Sequence, residues 1–348
     1  MRHTLQNEFE EPFYTRGYNP TVGILRKKLA ALEGADDALV TSSGSAACAI
    51  AVMGNLKAGD HAICVNKPYS WTNKLFNNIL AGYGVETTMI DGTDPENFAR
   101  AIKPNTRLIF LESPNSLTFE LQDLEGVAAI AKKHNIVTVI DNSYCTPLYQ
   151  QPIKMGIDIT VHSATKYLNG HSDVVAGVLC GSKEMISRLF ASELMTYGSI
   201  ISPNDAWLII RGLRTLPLRL ERSNATTIAV VEYLENHPKV KQLYFPFSKS
   251  FPQYDLAKKQ MQGCGGLFSI VLDVENIEQV ETFCNSLQRF LMACSWGGHE
   301  SLIFPSCSLL TSQSYNHPYI KWNMIRFYVG LEDAEVLIAD LEDAFAKI

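Results

Sequence analysis

The chain has 348 residues, 46% of them hydrophobic and 19% charged, which is enough for a large buried core and two domains. Its formal charge of −6 is mildly acidic and its Lys and Arg residues are scattered, which argues against a nucleic-acid partner. No apolar run reaches the roughly 18 to 20 residues of a membrane helix, and the polar, acidic stretch Met1 to Glu11 does not read as a signal or transit peptide. The eight cysteines are widely spread, with no C-x-x-C pair, and most lie in apolar runs such as Ala47-Cys48-Ala49. They read as free thiols of a cytoplasmic protein rather than as disulfides or zinc ligands. No H-x-x-x-H pattern or carboxylate pairing suggests any other metal site.

In chain order, short β-branched runs alternate with helix-like stretches from about Arg16 to Gly181. Strands are predicted at Ala38–Thr41, His61–Val65, Thr87–Ile90, Arg107–Glu112, Val137–Asp141, Ile159–His162 and Gly177–Cys180. Their continuous apolar character suits strands buried on both faces of a mainly parallel sheet. Helices are predicted between them at Thr21–Leu32, Ala46–Leu56, Asn73–Gly82 and Leu124–His134, the alternation of an α/β fold. Beyond Gly212 a long helix is expected over Leu213–Asn236. Strands Gly266–Asp273 and Ile325–Gly330 and helices Ile277–Gln288 and Asp333–Ile348 follow, and together they suggest a smaller C-terminal α+β domain. The expected division is an N-terminal arm at 1–17, an α/β domain at 18–212 and the C-terminal domain at 213–348.

Three local patterns bear on chemistry. The strand Thr138-Val139-Ile140 ends in Asp141, and the strand through Val161-His162 leads to Lys166. Ligands of open α/β sheets bind beyond the carboxyl ends of the strands, so an acid and an amine there could share one crevice. That pair is what pyridoxal-5′-phosphate (PLP) chemistry needs: the lysine forms the Schiff base and the acid keeps the pyridine nitrogen protonated. Taken singly, Asp141 reads equally as a turn cap and Lys166 as a surface lysine. The third pattern, Thr41-Ser42-Ser43-Gly44-Ser45-Ala46-Ala47, joins a strand to a helix start whose exposed N–H groups suit a phosphate. It lacks the Walker lysine and G-x-G-x-x-G, which disfavours nucleotides.

The run Ser163-Ala164-Thr165-Lys166-Tyr167-Leu168-Asn169-Gly170-His171-Ser172-Asp173 resembles the cofactor-lysine signature of the trans-sulfuration enzymes of cysteine and methionine metabolism. The resemblance extends from Tyr14 to the C-terminus. It takes in Asp141-Asn142-Ser143, Arg211-Gly212-Leu213-Arg214-Thr215-Leu216, Gly297-Gly298-His299-Glu300-Ser301-Leu302 and Gly330-Leu331-Glu332-Asp333. It implies a PLP enzyme of the aspartate aminotransferase-like fold (fold type I), with a mainly parallel central sheet and a smaller C-terminal α+β domain. By the same resemblance, Lys166 holds PLP and shuttles the proton, Asp141 pairs with the pyridine nitrogen, and Tyr69 stacks on the ring. The Gly44 and Ser45 amides and the Ser163 and Thr165 hydroxyls would hold the phosphate. Tyr14 and Arg16 would reach the phosphate of a neighbouring subunit, so a homodimer or homotetramer is implied. Arg326 would clamp the substrate α-carboxylate, with Ser295 and Trp296 beside it.

Members of the family share these first steps and differ in what leaves. Trp296 stands where most γ-active members have Leu, and Leu111-Glu112-Ser113-Pro114-Asn115-Ser116-Leu117-Thr118 is similar to the cystathionine β-lyase branch. Trp71 occupies the position of a cysteine typical of methionine γ-lyases. The resemblance thus points to β-elimination of L-cystathionine or a related S-substituted cysteine, giving a thiol such as homocysteine, pyruvate and ammonia. A γ-lyase or γ-synthase of the same family is the alternative, and a non-catalytic PLP-fold protein a distant third. Ser45 departs from the Met of many members, and Cys294 from the Tyr of the β-lyases. The Asn expected near the cofactor's ring oxygen corresponds either to Ser116 or to Asn115.

Overall fold

In the computed structural model, residues 7–309 and 319–348 are described. The first six residues of the expected arm therefore lie outside the described residues. All seven strands expected in the first half of the chain form: β1 (Asp37–Thr41), β2 (His61–Val65), β3 (Glu86–Ile90), β4 (Thr106–Glu112), β5 (Val137–Asp141), β6 (Ile159–Ser163) and β7 (Gly177–Gly181). They make one sheet in the order β1-β7-β6-β5-β4-β2-β3. Strands β3, β2, β4, β5 and β6 pair in parallel, while β7 is antiparallel to both β6 and β1. Hence β1 runs in the same direction as β6, and six of the seven strands end at one edge of the sheet.

Side chains alternate across this sheet, and each face has its own apolar layer. Phe110, Val139, Val161 and Leu179 join one cluster with Ala47, Ile50 and Phe76. Ile109, Leu111 and Ile140 join the other with Leu124 and Val127. Burial on both sides explains why the inner strands read as unbroken apolar runs, whereas the edge strand β3 is only partly buried.

Helix α1 (Pro20–Glu33) starts where Asn19 accepts a bond from the Thr21 N–H (3.0 Å) and Pro20 takes the first turn. Helix α2 (Gly44–Met53) is capped by the Ser43 hydroxyl, which accepts from the Ala46 N–H (3.1 Å). Helix α3 (Ser70–Lys74) is continued by a π-helical turn, Leu75–Ile79, where the sequence suggested one uninterrupted helix. Such bulges leave little trace in apolar periodicity.

The chain divides into two compact units. One holds the described residues up to Ser116 with Glu120–Asn169 and Asp173–Arg214, and the other Leu117–Phe119, Gly170–Ser172 and the described residues from Thr215 onward. The second unit is built on a mostly antiparallel sheet of β8 (Val240–Tyr244), β9 (Leu267–Leu272), β10 (Leu291–Met292), β11 (Leu302–Pro305) and β12 (Met324–Tyr328), in the order β10-β11-β12-β9-β8. The helix expected from Leu213 begins instead at Leu216, as α4 (Leu216–Glu235), because Pro217 suits a first turn and not a helix interior. The C-terminal helix α5 (Ala334–Phe345) buries Leu337, Leu341 and Ala344, the apolar face its spacing predicts. All eight cysteines are free; six are buried, Cys307 is half-buried and Cys294 exposed.

Candidate active site

Four strand ends bring the chemistry-bearing residues of the first unit to one edge of the sheet. At the end of β1 the backbone turns through Ser42 and Ser43 into α2. Gly177 makes this turn possible: it pairs with Thr41 and Ser163, and a Cβ there would lie 2.1 Å from the Ser43 carbonyl oxygen. Gly44 is equally constrained, since a Cβ would stand 2.8 Å from Ser163 Cβ and 2.9 Å from its Cα. The start of α2 is therefore pressed against the end of β6. Its first N–H groups, at Gly44 and Ser45, have no carbonyl within their own helix to bond. With the helix dipole they form an anion-binding end beside the Ser163 hydroxyl.

From Ser163 a chain of hydrogen bonds leads to the acid. The Ser163 N–H donates to Ser143 Oγ (2.6 Å), and the Ser143 hydroxyl in turn donates to Asp141 Oδ1 (2.6 Å). The Ser143 N–H donates to the same oxygen (2.9 Å), so two donors fix the carboxylate in one orientation. Lys166 follows on the turn after β6, where its N–H bonds the Ser163 carbonyl (3.1 Å). Removal from water pushes the Asp141 carboxyl up, while the Ser143 donors, His162 and the Lys166 ammonium draw it back toward the ionised form. The turn that carries Lys166 and the strand that ends in Asp141 thus meet through Ser163 and Ser143.

The series continues on the other side of Asp141. Glu112, at the end of β4, is its register partner and is buried. Glu112 Oε2 accepts from the Tyr69 backbone N–H (2.6 Å), and the Ser116 hydroxyl donates to Oε1 (2.6 Å). Burial and the neighbouring Asp141 charge push the Glu112 carboxyl up to about 8, against the pull of its two donors. Tyr69 remains 43% exposed. Ser116 faces Glu112, whereas the buried Asn115 bonds Glu120 through its Nδ2 (3.3 Å) and its backbone N–H (3.1 Å).

Thr165 behaves differently from the expectation of a free phosphate donor. Its hydroxyl donates to the Ala176 carbonyl (3.1 Å) and accepts from the Ala176 N–H (3.0 Å), which braces the turn carrying Lys166. Tyr14 and Arg16 are exposed in a turn of their own, the guanidinium 5.5 Å from the centre of the tyrosine ring. Among the described residues no bond joins them to the series from Gly44 to Tyr69. In the second unit, Arg326 Nη2 donates to the Cys294 carbonyl (2.7 Å), so Arg326 adjoins the exposed Ser295 and the half-buried Trp296. Two participants escaped the sequence reading, Glu112 and Ser143. The signal for Glu112 was available, since Leu111-Glu112 repeats the pattern of an apolar strand ending in an acid that drew attention to Asp141.

The arrangement suits a ligand with a phosphate, a carbonyl carbon and a basic ring nitrogen. The helix start cramped against Ser163 fits the first, the Lys166 amine the second and the oriented Asp141 the third. Comparison with known proteins identifies the family. The sequence model of the family described as "Cys/Met metabolism PLP-dependent enzyme" matches residues 1–346. The L-methionine gamma-lyase of Treponema denticola is 40% identical over 348 residues, covering 98% of this chain and 86% of that protein. The cystathionine gamma-lyase of Bacillus subtilis is 38% identical over 340 residues, covering 96% and 89%. Among solved structures, that of metB from Corynebacterium glutamicum superimposes with a TM-score of 0.91 at 36% identity, over 98% of this chain and 89% of that one. The chain is therefore a member of the Cys/Met metabolism family of PLP-dependent enzymes, and its cofactor is pyridoxal 5′-phosphate.

Proposed function

We propose that the protein is a carbon–sulfur lyase that expels a thiol from the γ-carbon of L-methionine or L-cystathionine, consuming water and giving 2-oxobutyrate and ammonia. The observation that carries the cofactor assignment is the hydrogen-bonded series from Gly44 through Ser163 and Ser143 to Asp141, with Lys166 beside it. Support for γ-elimination comes from relatives named L-methionine gamma-lyase and cystathionine gamma-lyase that match nearly the whole chain.

When bound, PLP supplies an electron sink that acidifies the Cα–H of the attached amino acid. The residues of the chain divide the remaining work. Lys166 would anchor the cofactor, and its amine would move protons at Cα and Cβ of the substrate. Asp141, held by Ser143, keeps a negative charge against the ring nitrogen. The Gly44 and Ser45 amides and the Ser163 hydroxyl hold the phosphate, with Tyr14 and Arg16 reaching a neighbouring copy. Thr165 fixes the lysine turn through Ala176. Tyr69 covers the ring and its hydroxyl delivers a proton to the departing sulfur. Arg326 takes the substrate α-carboxylate as a planar, two-pronged donor, beside Ser295 and Trp296.

A second reading, β-elimination of L-cystathionine to homocysteine, pyruvate and ammonia, is favoured by Trp296 in place of the Leu of γ-active members, by the segment from Leu111 to Thr118, and by Trp71 in place of the cysteine typical of methionine γ-lyases. One assay separates the two. The purified protein, saturated with PLP, is given L-methionine and L-cystathionine in turn, and the keto acid is identified. Release of 2-oxobutyrate supports the γ reading, and release of pyruvate from cystathionine alone overturns it. Borohydride reduction should fix PLP to the wild type but not to Lys166→Ala.

A further inference from the structure

Glu112 is a buried acid with neighbours too specific for a strand-end residue with only a packing role. It stands in register with Asp141 on the adjacent strand. Both its oxygens are engaged at 2.6 Å, by a backbone N–H 43 residues away and by a hydroxyl four residues away. The N–H belongs to Tyr69, the residue from which α3 departs and whose own side chain caps nothing. The direction in which the chain leaves Tyr69, and so the aim of its ring, is tied to the end of β4 by this bond.

We propose that Glu112 is a positioning residue that clamps the Tyr69 peptide, and with it the ring, to the end of β4. The proposal rests on the reading of Tyr69 as the residue over the cofactor. It also assigns a protonation state. The groups facing Glu112 are Asp141 on β5, Cys64 on β2 and Cys48 on α2. Burial keeps both thiols protonated, which leaves Asp141 as the negative neighbour among the described residues. Two buried carboxyls side by side do not both ionise readily. Asp141 has the better claim to the charge: two donors from Ser143 on one oxygen, with Lys166 and His162 nearby. Glu112 is left with the proton, and its contact with Ser116 survives that state because a hydroxyl accepts as well as donates. A neutral clamp leaves Asp141 as the single negative charge for the ring nitrogen.

The test compares Glu112→Gln and Glu112→Ala with the wild type in the full-length protein, with PLP and after its removal. The first readout is hydrogen exchange at the Tyr69 amide; the second is the circular dichroism of the bound cofactor. Glutamine keeps a carbonyl for the Tyr69 N–H and stays neutral, so exchange within about threefold of the wild type and an unchanged cofactor signal are expected. Alanine should speed Tyr69 exchange by about tenfold or more and weaken the cofactor signal, with the amides of Phe110 and Val139 still protected. Unchanged Tyr69 exchange in the alanine variant overturns the clamp. A glutamine variant that behaves like alanine overturns the neutral state. If the wild type takes up no PLP and alanine still frees the Tyr69 amide, the clamp stands and the cofactor reading alone falls.

Discussion

The carboxylate of Asp141 owes its orientation to Ser143, which spends both its N–H and its hydroxyl on one oxygen (2.9 and 2.6 Å). Charge-assisted bonds of this kind each contribute about 1.5–3 kcal/mol. Asp141→Asn keeps the shape and removes the charge, so PLP affinity should fall by about 10- to 100-fold, measured by titrating the cofactor into stripped protein. Gly44 is constrained by space rather than charge. Gly44→Ala would press a methyl onto Ser163 at 2.8–2.9 Å, and an overpacked contact of that kind costs about 1–3 kcal/mol. Both stability in urea and PLP affinity should drop together, because the helix start that receives the phosphate has to shift. Glu112 adds a pH dependence. The folded acid keeps its proton to about 8 where an ordinary glutamate loses it near 4.5, so between these limits the folded state binds more protons than the unfolded one. Stability therefore falls as pH rises through that window. Glu112→Gln removes this contribution, so melting temperature measured across the window should decline less steeply in the variant than in the wild type.

At the scale of elements, the central sheet was legible because strands buried on both faces must be apolar at every position, which the β-branched runs of the first half state directly. The second sheet was half legible. Strand β9 is buried throughout and was read, whereas β8 carries exposed Lys241 and Gln242 and β10 is only two residues long. The acid–lysine pair was legible as strand-end residues, but Ser143 was not, because a serine two residues past a strand has no periodicity to betray it. Nor was the link between α1 and β6. There, Glu33 Oε2 lies 2.7 Å from His162 Nε2, both side chains being almost wholly buried. The pair joins the helix that follows the N-terminal turn to the strand that delivers Ser163 and Lys166. Removing one partner leaves the other buried without its hydrogen bond, at a cost of about 1–3 kcal/mol. Glu33→Ala should lower the free energy of unfolding by that order in urea titration. Glu33→Gln retains a hydrogen-bonding partner for the imidazole and should cost clearly less.

At the scale of the whole molecule, the question is whether the N-terminal turn serves a neighbouring copy. Arg26 fastens its base: the guanidinium lies 3.7 Å from the centre of the Phe9 ring, donates to Glu10 (2.9 Å) and pairs with Asp37 (2.9 Å), while Phe9 packs on Phe190 at 4.4 Å. Beyond this anchor Phe13 and Tyr14 leave half or more of their surface exposed, and Arg16 is exposed as well. Apolar groups held out from a fixed base suit a contact with a second copy of the chain. Mixing two inactive variants tests whether Tyr14 and Arg16 complete a neighbour's site. Lys166→Ala lacks the lysine and keeps the arm; Arg16→Ala keeps the lysine and spoils the arm. If the arm acts across a two-fold interface, a mixed dimer holds one doubly damaged site and one with native lysine and native arm. Random exchange at equal concentrations makes half the dimers mixed, so about a quarter of all sites should become native and keto-acid release should recover to that level. If the arm serves its own protomer, every site in the mixture still carries a defect. Activity then stays at the average of the two variants, and the shared-site arrangement is excluded.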